Sequence, residues 1–575
     1  MAPSQAKRGM KGYALSVFQG TKVEKFDVVV LGTLERVQGG GDLVLIKVTS
    51  GPVVTRQSGI IQGMSGSPVY LNGKLLGAIA IGFGFPKEPI GGVTPITQMI
   101  ATALPDNAPK RAPLKMVKTE VFRPTSALKV AGKRIARLEV TRDLALGALS
   151  GPASGATMRM RPATQLLQLS GISPSSMGRW KSMLEPYGIT PVMGGGSMGS
   201  RQAFGMPSKK TGVSANLAPG AAIGVQLASG DIDATGVGTV TYRVGNRVLA
   251  FGHPMFGLGT VSMPMTTAYI HDIFPAYDIS FKLGSPMQSV GEMQQDTNFA
   301  IGGTVGRRAE TVPLRISLLD SAKKINKKFN VRLIKDPVFT PQLAQSIATE
   351  ALQTTLGLDS DKTVRVALNI GLKNGPAIRR TNTVYAADQV IAGGLTEMLD
   401  ALSLTQSNPY EKGNISSMDL RVEVLQGRKT ARIRRLYTDK NRVKAGERVQ
   451  ISVVMEPTGQ PDAQFTRRFS LTVPEDAPNG VLRVAASSAA DFFASRSRVG
   501  GPPPTPGNFR ELLSAYSQIG PENELLLQAS TSRRFLLIDR KKVSNPPPSW
   551  NRLLGGSPSS QVTAFNETLA QREKM

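Results

Sequence analysis

The sequence predicts a mainly β protein of several domains, and three observations carry that expectation. At 575 residues the chain is longer than one hydrophobic core serves, so several units of ordinary size are expected. Its 60 glycines and 39 prolines cut the apolar segments short, and only 19% of residues are charged. Short apolar runs bounded by turn residues are the pattern of strands, not of helical bundles.

Residues 1–105 alternate in the β manner through KFDVVVLGTLERV, GDLVLIKVT and GMSGSPVYLNGKLLGAIAIG. Asn72-Gly73 predicts a two-residue hairpin turn, because both positions need positive φ and this dipeptide supplies it. Residues 106–217 change character, with a basic β-like stretch (LKVAGKRIARLEV), a helix-like piece (SMGRWKSMLEPYG) and the glycine-rich GGGSMGS. They are expected to form an inserted domain that ends in a flexible linker. Strand patterning resumes over 218–322, with Gly245-Asn246 at a turn. Residues 323–410 place a helix, PQLAQSIATEALQTTLG, between the strands KFNVRLI and KTVRVALNIGL, a small α/β region. Five short strands recur over 411–490 as in a β-sandwich. Residues 491–575 carry GGPPPTPG and NPPPSW and read as a proline-rich extended tail.

Lysine and arginine total 69 against 41 acidic residues, a formal charge of +28. The basic residues are spread along the chain without an arginine-rich arm, zinc-finger spacing or aromatic RNA-binding motif, so a soluble basic surface is expected and no nucleic acid partner. With no cysteine and two histidines, disulfides, thiolate sites and cysteine nucleophiles are excluded, and neither a metal nor another cofactor is expected. The N-terminal stretch lacks an apolar signal-peptide core, and no run of 18 apolar residues is present, so no transmembrane segment is expected.

The chemistry centres on Ser65. Serine attacks a carbonyl only when a base takes its proton, and acyl transfer needs donors aimed at the developing oxyanion. In Gly63-Met64-Ser65 the glycine permits a sharp turn that lets the amides of Gly63 and Ser65 converge on one oxygen. The base is sought between two histidines. His253 follows the strand RVLAFG at a glycine-flanked end, where a side chain can face a cleft, whereas His271 sits in Tyr-Ile-His-Asp without such a setting.

GMSGSPVYLNGKLLGAIAIG is similar, piece by piece, to the nucleophile loop, hairpin and substrate-pairing strand of chymotrypsin-like serine peptidases. That likeness implies Ser65 as nucleophile, Gly63 and Ser65 as oxyanion hole, and Ala80, Ile81 and Gly82 as the strand that pairs with substrate; Ser67 supports the loop. KVEKFDVVVLG with GIIQGMSGSPVYLNGKLLGAI, and GVGTVTY with RVLAFGHP, resemble the serine- and histidine-bearing halves of the sporulation SpoIVB peptidase family. The resemblance implies a chymotrypsin-like double β-barrel, here with the serine half first and an inserted domain between. Where that family carries an aspartate upstream of its serine motif, this sequence has Ser50. Asp272, Asp278 and Asp296 are candidates for a third triad member, and a Ser-His dyad is the alternative.

The expected function is a serine endopeptidase acting on protein or peptide substrates. The alternative is an inactive pseudo-peptidase serving as an envelope-associated binding scaffold. The resemblance further implies a bacterial protein exported to the periplasm, envelope or exterior, with its leader trimmed or upstream. The two halves pair within one chain or, by domain swapping, in a homodimer.

Overall fold

The computed structural model describes residues 1–37, 41–83, 88–104, 166–194, 217–276, 280–357, 361–387, 390–489, 506–538 and 541–544. It also describes residues 112, 120–122, 128–130, 133–140, 157–162, 491–492, 549 and 563–574. Compactness divides the chain into two units, Met1–Leu314 with Phe329–Glu350, and Arg315–Lys328 with Ala351–Met575.

The first unit contains two closed barrels of six antiparallel strands each. In the N-terminal barrel, β1 (Lys11–Val17), β2 (Val23–Val37), β3 (Gly41–Val48), β4 (Pro68–Leu71), β5 (Lys74–Phe83) and β6 (Ile90–Pro95) run in the order β4-β1-β2-β3-β6-β5. Pairing of β4 with β5 closes the ring. The turn between them is the expected one, with Asn72 at φ 49° and Gly73 at φ 72°. Alternation points Val28, Val30, Val44, Ile46, Val69 and Ile79 into a common core, which Met64 of the serine loop joins. A helix, α1 (Ile96–Ala103), follows.

The second barrel repeats the closure after the inserted segment. Its strands are β8 (Ala222–Gly230), β9 (Asp233–Val244), β10 (Arg247–Ala250), β11 (Gly259–Phe274), β12 (Phe281–Asp296) and β13 (Ile301–Val305). Their order is β9-β10-β13-β12-β11-β8, with β8 paired to β9. Gly245-Asn246 makes the two-residue turn between β9 and β10. Apolar contacts between described residues join the barrels within one chain, two of them as follows. Met99 and Ala103 of α1 pack with Ala78, Leu249 and Ala300, and Val17 packs with Val237, Ala268 and Ile270. Gly20 and Ile270 exchange backbone hydrogen bonds of 2.7 and 3.0 Å beside the second contact.

Within the inserted segment the basic stretch forms strands Leu128–Val130, Lys133–Ile135 and Arg137–Val140, and the helix-like piece forms the helix Met177–Leu184. One strand there, β7 (Thr157–Pro162), pairs antiparallel with β5. The GGGSMGS linker lies, after Gly194, outside the described residues.

The helix expected within 323–410 spans Phe339–Leu356, between strands Ile325–Ile334 and Lys362–Leu372. In the second unit the strand Lys362–Leu372 pairs with Ile378–Ala386 and Ile415–Leu425. The helix Val390–Gln406 lies on this sheet through Gly393, where a Cβ would be 3.4 Å from Ala386 and Val384. Three strands, Ala431–Thr438, Arg448–Pro457 and Phe465–Thr472, form an antiparallel sheet. Val449, Ile451, Val453 and Phe469 share a core with Leu525, Leu527 and Ala529, from the strand Glu524–Ile538 that pairs with Arg483–Ser488. The facing layer of the sandwich is thus completed from beyond residue 490. The two proline-rich runs lie largely outside the described residues, and the chain between them is not extended throughout: it forms the helix Phe509–Ser517 as well as that strand. Alternating Leu525 and Leu527 supply the apolar face that proline-rich composition hides.

Candidate active site

Ser65 lies in the loop that joins the short helix Pro52–Thr55 to β4, and the second barrel holds this loop from outside. The amide of Thr239 donates to the carbonyl of Ser65 at 2.8 Å, the Thr239 hydroxyl to the carbonyl of Gly63 at 3.0 Å, and the Thr241 hydroxyl to that of Gly66 at 2.8 Å. Gly66 is required here. It sits at φ 95°, and a Cβ would fall 1.9 Å from the Thr239 carbonyl oxygen and 2.6 Å from the Phe251 nitrogen. No side chain fits between the barrels at that point.

Within the loop the backbone donors divide. Met64 N–H donates to Ile61, Gly66 N–H to Ile79 and Ser67 N–H to Met64. The amides of Gly63 and Ser65, the two the sequence singles out, donate to no acceptor among the described residues. Gly63 has φ 95°, the left-handed conformation its residue type permits. The Ser65 side chain is fully buried and its hydroxyl has no hydrogen-bond partner among the described residues.

His253 follows β10 in the turn Phe251-Gly252-His253, which packs against β5. Gly252, at φ 74°, brings its Cα so close that a Cβ would lie 3.0 Å from the Cβ of Ala78 and 3.1 Å from that of Ala80. Thr94 of β6 donates to the Gly252 carbonyl at 2.7 Å. The structure therefore packs both the serine loop and the histidine turn of one chain where the barrels meet, without a hydrogen bond from Ser65 Oγ to the imidazole. His253 is fully buried, and its Nδ1 lies 2.7 Å from the carbonyl oxygen of Pro254. A carbonyl only accepts, so that contact puts a proton on Nδ1.

Two of the sequence candidates for a third member have described partners. Asp272 is half-exposed and ion-paired with Arg56 at 2.5 Å, which holds its carboxyl below the usual range. Asp296 is buried and receives the amides of Met255, Phe256, Gly257 and Leu258 at 2.8, 2.8, 2.9 and 3.3 Å, pinning the loop that leaves Pro254. Asp278 lies outside the described residues. Ser50 bonds Asp27, accepting from its amide at 2.8 Å and donating to its carboxylate at 3.0 Å. His271 has its Nε2 2.9 Å from Ser285 Oγ, and burial lowers its pKa.

Ala80 to Gly82 lie on β5 beyond the end of β4. One edge there pairs with β6, at Ile81 with Gly92 and Gly82 with Gly91. The opposite edge is taken by β7 of the same chain, with Pro162 opposite Ile81, Arg161 opposite Gly82 and Met160 opposite Phe83.

Beneath the serine loop lies a group that sequence reasoning missed. Lys282, at the start of β12, is fully buried; its amide donates to Gln62 at 3.0 Å and its ammonium to Ser16 Oγ at 2.8 Å. Ser67 Oγ also donates to Ser16 Oγ, at 3.0 Å, so Ser67 points away from the loop's outer face. Burial pulls the Lys282 pKa down to about 7, opposed slightly by the charge of Glu24.

Two closed six-stranded barrels, with a GxSGxP loop from one clasped by the other beside a buried imidazole, define the chymotrypsin-like class of β fold. Residues 2–96 match the family model of the SpoIVB peptidase S55, so the N-terminal barrel is similar to that family of serine peptidases. No curated protein and no solved structure matches the chain. Among the described residues, no helix is long and apolar enough to cross a membrane.

Proposed function

We propose that the protein is a serine endopeptidase in which Ser65 attacks a peptide carbonyl, His253 is the general base, and the amides of Gly63 and Ser65 bind the oxyanion. The observation that carries this reading is the division of donors in the serine loop: the amides of Met64, Gly66 and Ser67 are spent on the fold, and the pair an oxyanion needs is left unspent. The imidazole of His253 takes the Ser65 proton as Oγ bonds to the carbonyl carbon. The resulting imidazolium returns that proton to the leaving amine as the C–N bond breaks, and water then hydrolyses the acyl-enzyme by the same route. The Pro254 carbonyl fixes the tautomer as a triad carboxylate does, but as a neutral acceptor it stabilises the imidazolium less.

Replacing Ser65 with alanine tests the reading. Labelling by a fluorophosphonate probe and cleavage of fluorogenic peptides are expected to disappear together, and unchanged labelling in Ser65→Ala defeats it. The second reading, a binding scaffold without activity, is favoured by the burial of both side chains and by β7 on the substrate edge. Its mark is a wild-type protein that neither labels nor cleaves. Exported, envelope-facing work on protein substrates is the setting we propose for either reading, checked by fractionating the native cells.

A further inference from the structure

Lys282 is an expensive way to fill its site. Its ammonium carries three donors and meets one acceptor, Ser16 Oγ, with the Phe18 ring 5.5 Å away; no carboxylate among the described residues pairs with it. A methionine would supply the packing without the cost of burying a charge. What distinguishes the position is its reach to both ends of the serine loop. At one end its stem lies against Gly63, with Cδ, Cβ and Cγ at 3.2, 3.3 and 3.4 Å from where a Cβ on that residue would stand. At the other, Ser16 Oγ accepts from both the ammonium and Ser67 Oγ. Thr239 completes the brace, 3.5 Å from Ser16 Oγ and donating to the Gly63 carbonyl.

We propose that Lys282 is a positioning residue that braces Gly63 and Ser67 around Ser65 and, when protonated, adds positive charge behind the oxyanion site. This rests on the peptidase reading above. A tetrahedral oxyanion held by the Gly63 and Ser65 amides develops its charge in a dry region where a nearby cation acts strongly. The neutral amine keeps the packing and loses that field. The groups packed on Lys282 leave it as the one that titrates: Ser16 from β1, Phe18 just after it, Gly63 and Ser67 from the loop, Thr239 from β9 and Gln168 at its carbonyl do not ionise near neutrality, and Glu24 from β2 is the acting countercharge.

The test is steady-state cleavage of a fluorogenic peptide by full-length Lys282→Met, checked for folding by circular dichroism. The variant is expected to lose kcat by roughly tenfold to a hundredfold, less than removal of a direct oxyanion donor, with KM little changed. Wild-type kcat is expected to fall above neutral pH as the amine loses its proton, and this descending limb is expected to vanish in Lys282→Met. A folded Lys282→Met with wild-type kcat, or with the same descending limb, overturns the proposal. So does a wild-type kcat that stays flat from about pH 7 to about pH 9, a readout that stands even where the variant does not fold. Loss of labelling at Ser65 in the wild-type protein defeats the peptidase reading instead, so the two failures are distinct.

Discussion

The imidazole of His253 and the carbonyl of Pro254, its own neighbour in the chain, are joined by a 2.7 Å contact. One acceptor for the ring thus comes from the backbone, and the carboxylate of Asp296 receives the four amides that follow Pro254. A buried carboxylate with four amide donors cannot be replaced by a carboxamide without setting an NH2 group against N–H groups. Asp296→Asn is accordingly expected to destabilise the first unit by about 1–3 kcal/mol, seen as a lower urea midpoint. It is also expected to reduce kcat more than it raises KM, because the turn that aims His253 loosens. A variant with wild-type stability would show that the loop is held by other means.

Gly66 and Gly73 are nearly adjacent in sequence, share positive φ, and differ in what surrounds them. An alanine methyl at Gly66 collides with the Thr239 carbonyl, whereas nothing lies within 4 Å of one at Gly73. Gly73→Ala is expected to cost only about 1 kcal/mol of backbone strain. Gly66→Ala is expected to cost about 3 kcal/mol or more and to prise the serine loop from β9, abolishing probe labelling. Equal midpoints for the two variants in chemical denaturation would contradict the clamp.

Local signals carried the parts of this architecture that local physics decides. Asn72-Gly73 and Gly245-Asn246 mark their hairpins because positive φ is a property of those residue types, and Gly63 and Gly66 flag a loop with special backbone. The aspartates were harder to place, since whether Asp272 meets Arg56 or an imidazole depends on residues 216 positions apart. Pro254 offered no side-chain signal at all, because its part is played by a carbonyl that every residue has. Lys282, in the stretch FKLGSP, reads as the polar face of an ordinary strand; its burial is imposed by the other barrel, through Ser16 at a separation of 266 residues. The pairing of β7 with β5 was equally hidden, because a strand edge does not announce which segment will fill it.

That pairing has a consequence for peptide cleavage. If Ile81 and Gly82 are where substrate aligns, substrate and β7 compete for the same backbone groups, and weakening β7 raises the fraction of open edge. Arg161 stands opposite Gly82, and proline there removes an amide donor from the strand. Arg161→Pro is expected to lower KM for peptides and to quicken fluorophosphonate labelling, with little change in the urea midpoint of the barrels. Slower labelling would mean that β7 supports the site and does not obstruct it.

Lys282 also sets a pH dependence of stability opposite in direction to its proposed effect on turnover. Burial lowers its pKa from 10.5 to about 7 in the folded protein. Between those values the unfolded chain still holds a proton that the folded chain has released, so stability rises with pH. The gain approaches about 1.4 kcal/mol per pH unit for one group. Below pH 7 both states are charged and the gain is absent; once pH passes 10.5 both are neutral and it is complete. Lys282→Met carries no such group, so the difference between wild-type and variant urea midpoints is expected to widen in the wild type's favour from about pH 7 to about pH 9. Parallel curves would show that the amine stays protonated through this range. The protein would then be most active where Lys282 is charged and most stable where it is not, a trade that a residue serving packing alone would not impose.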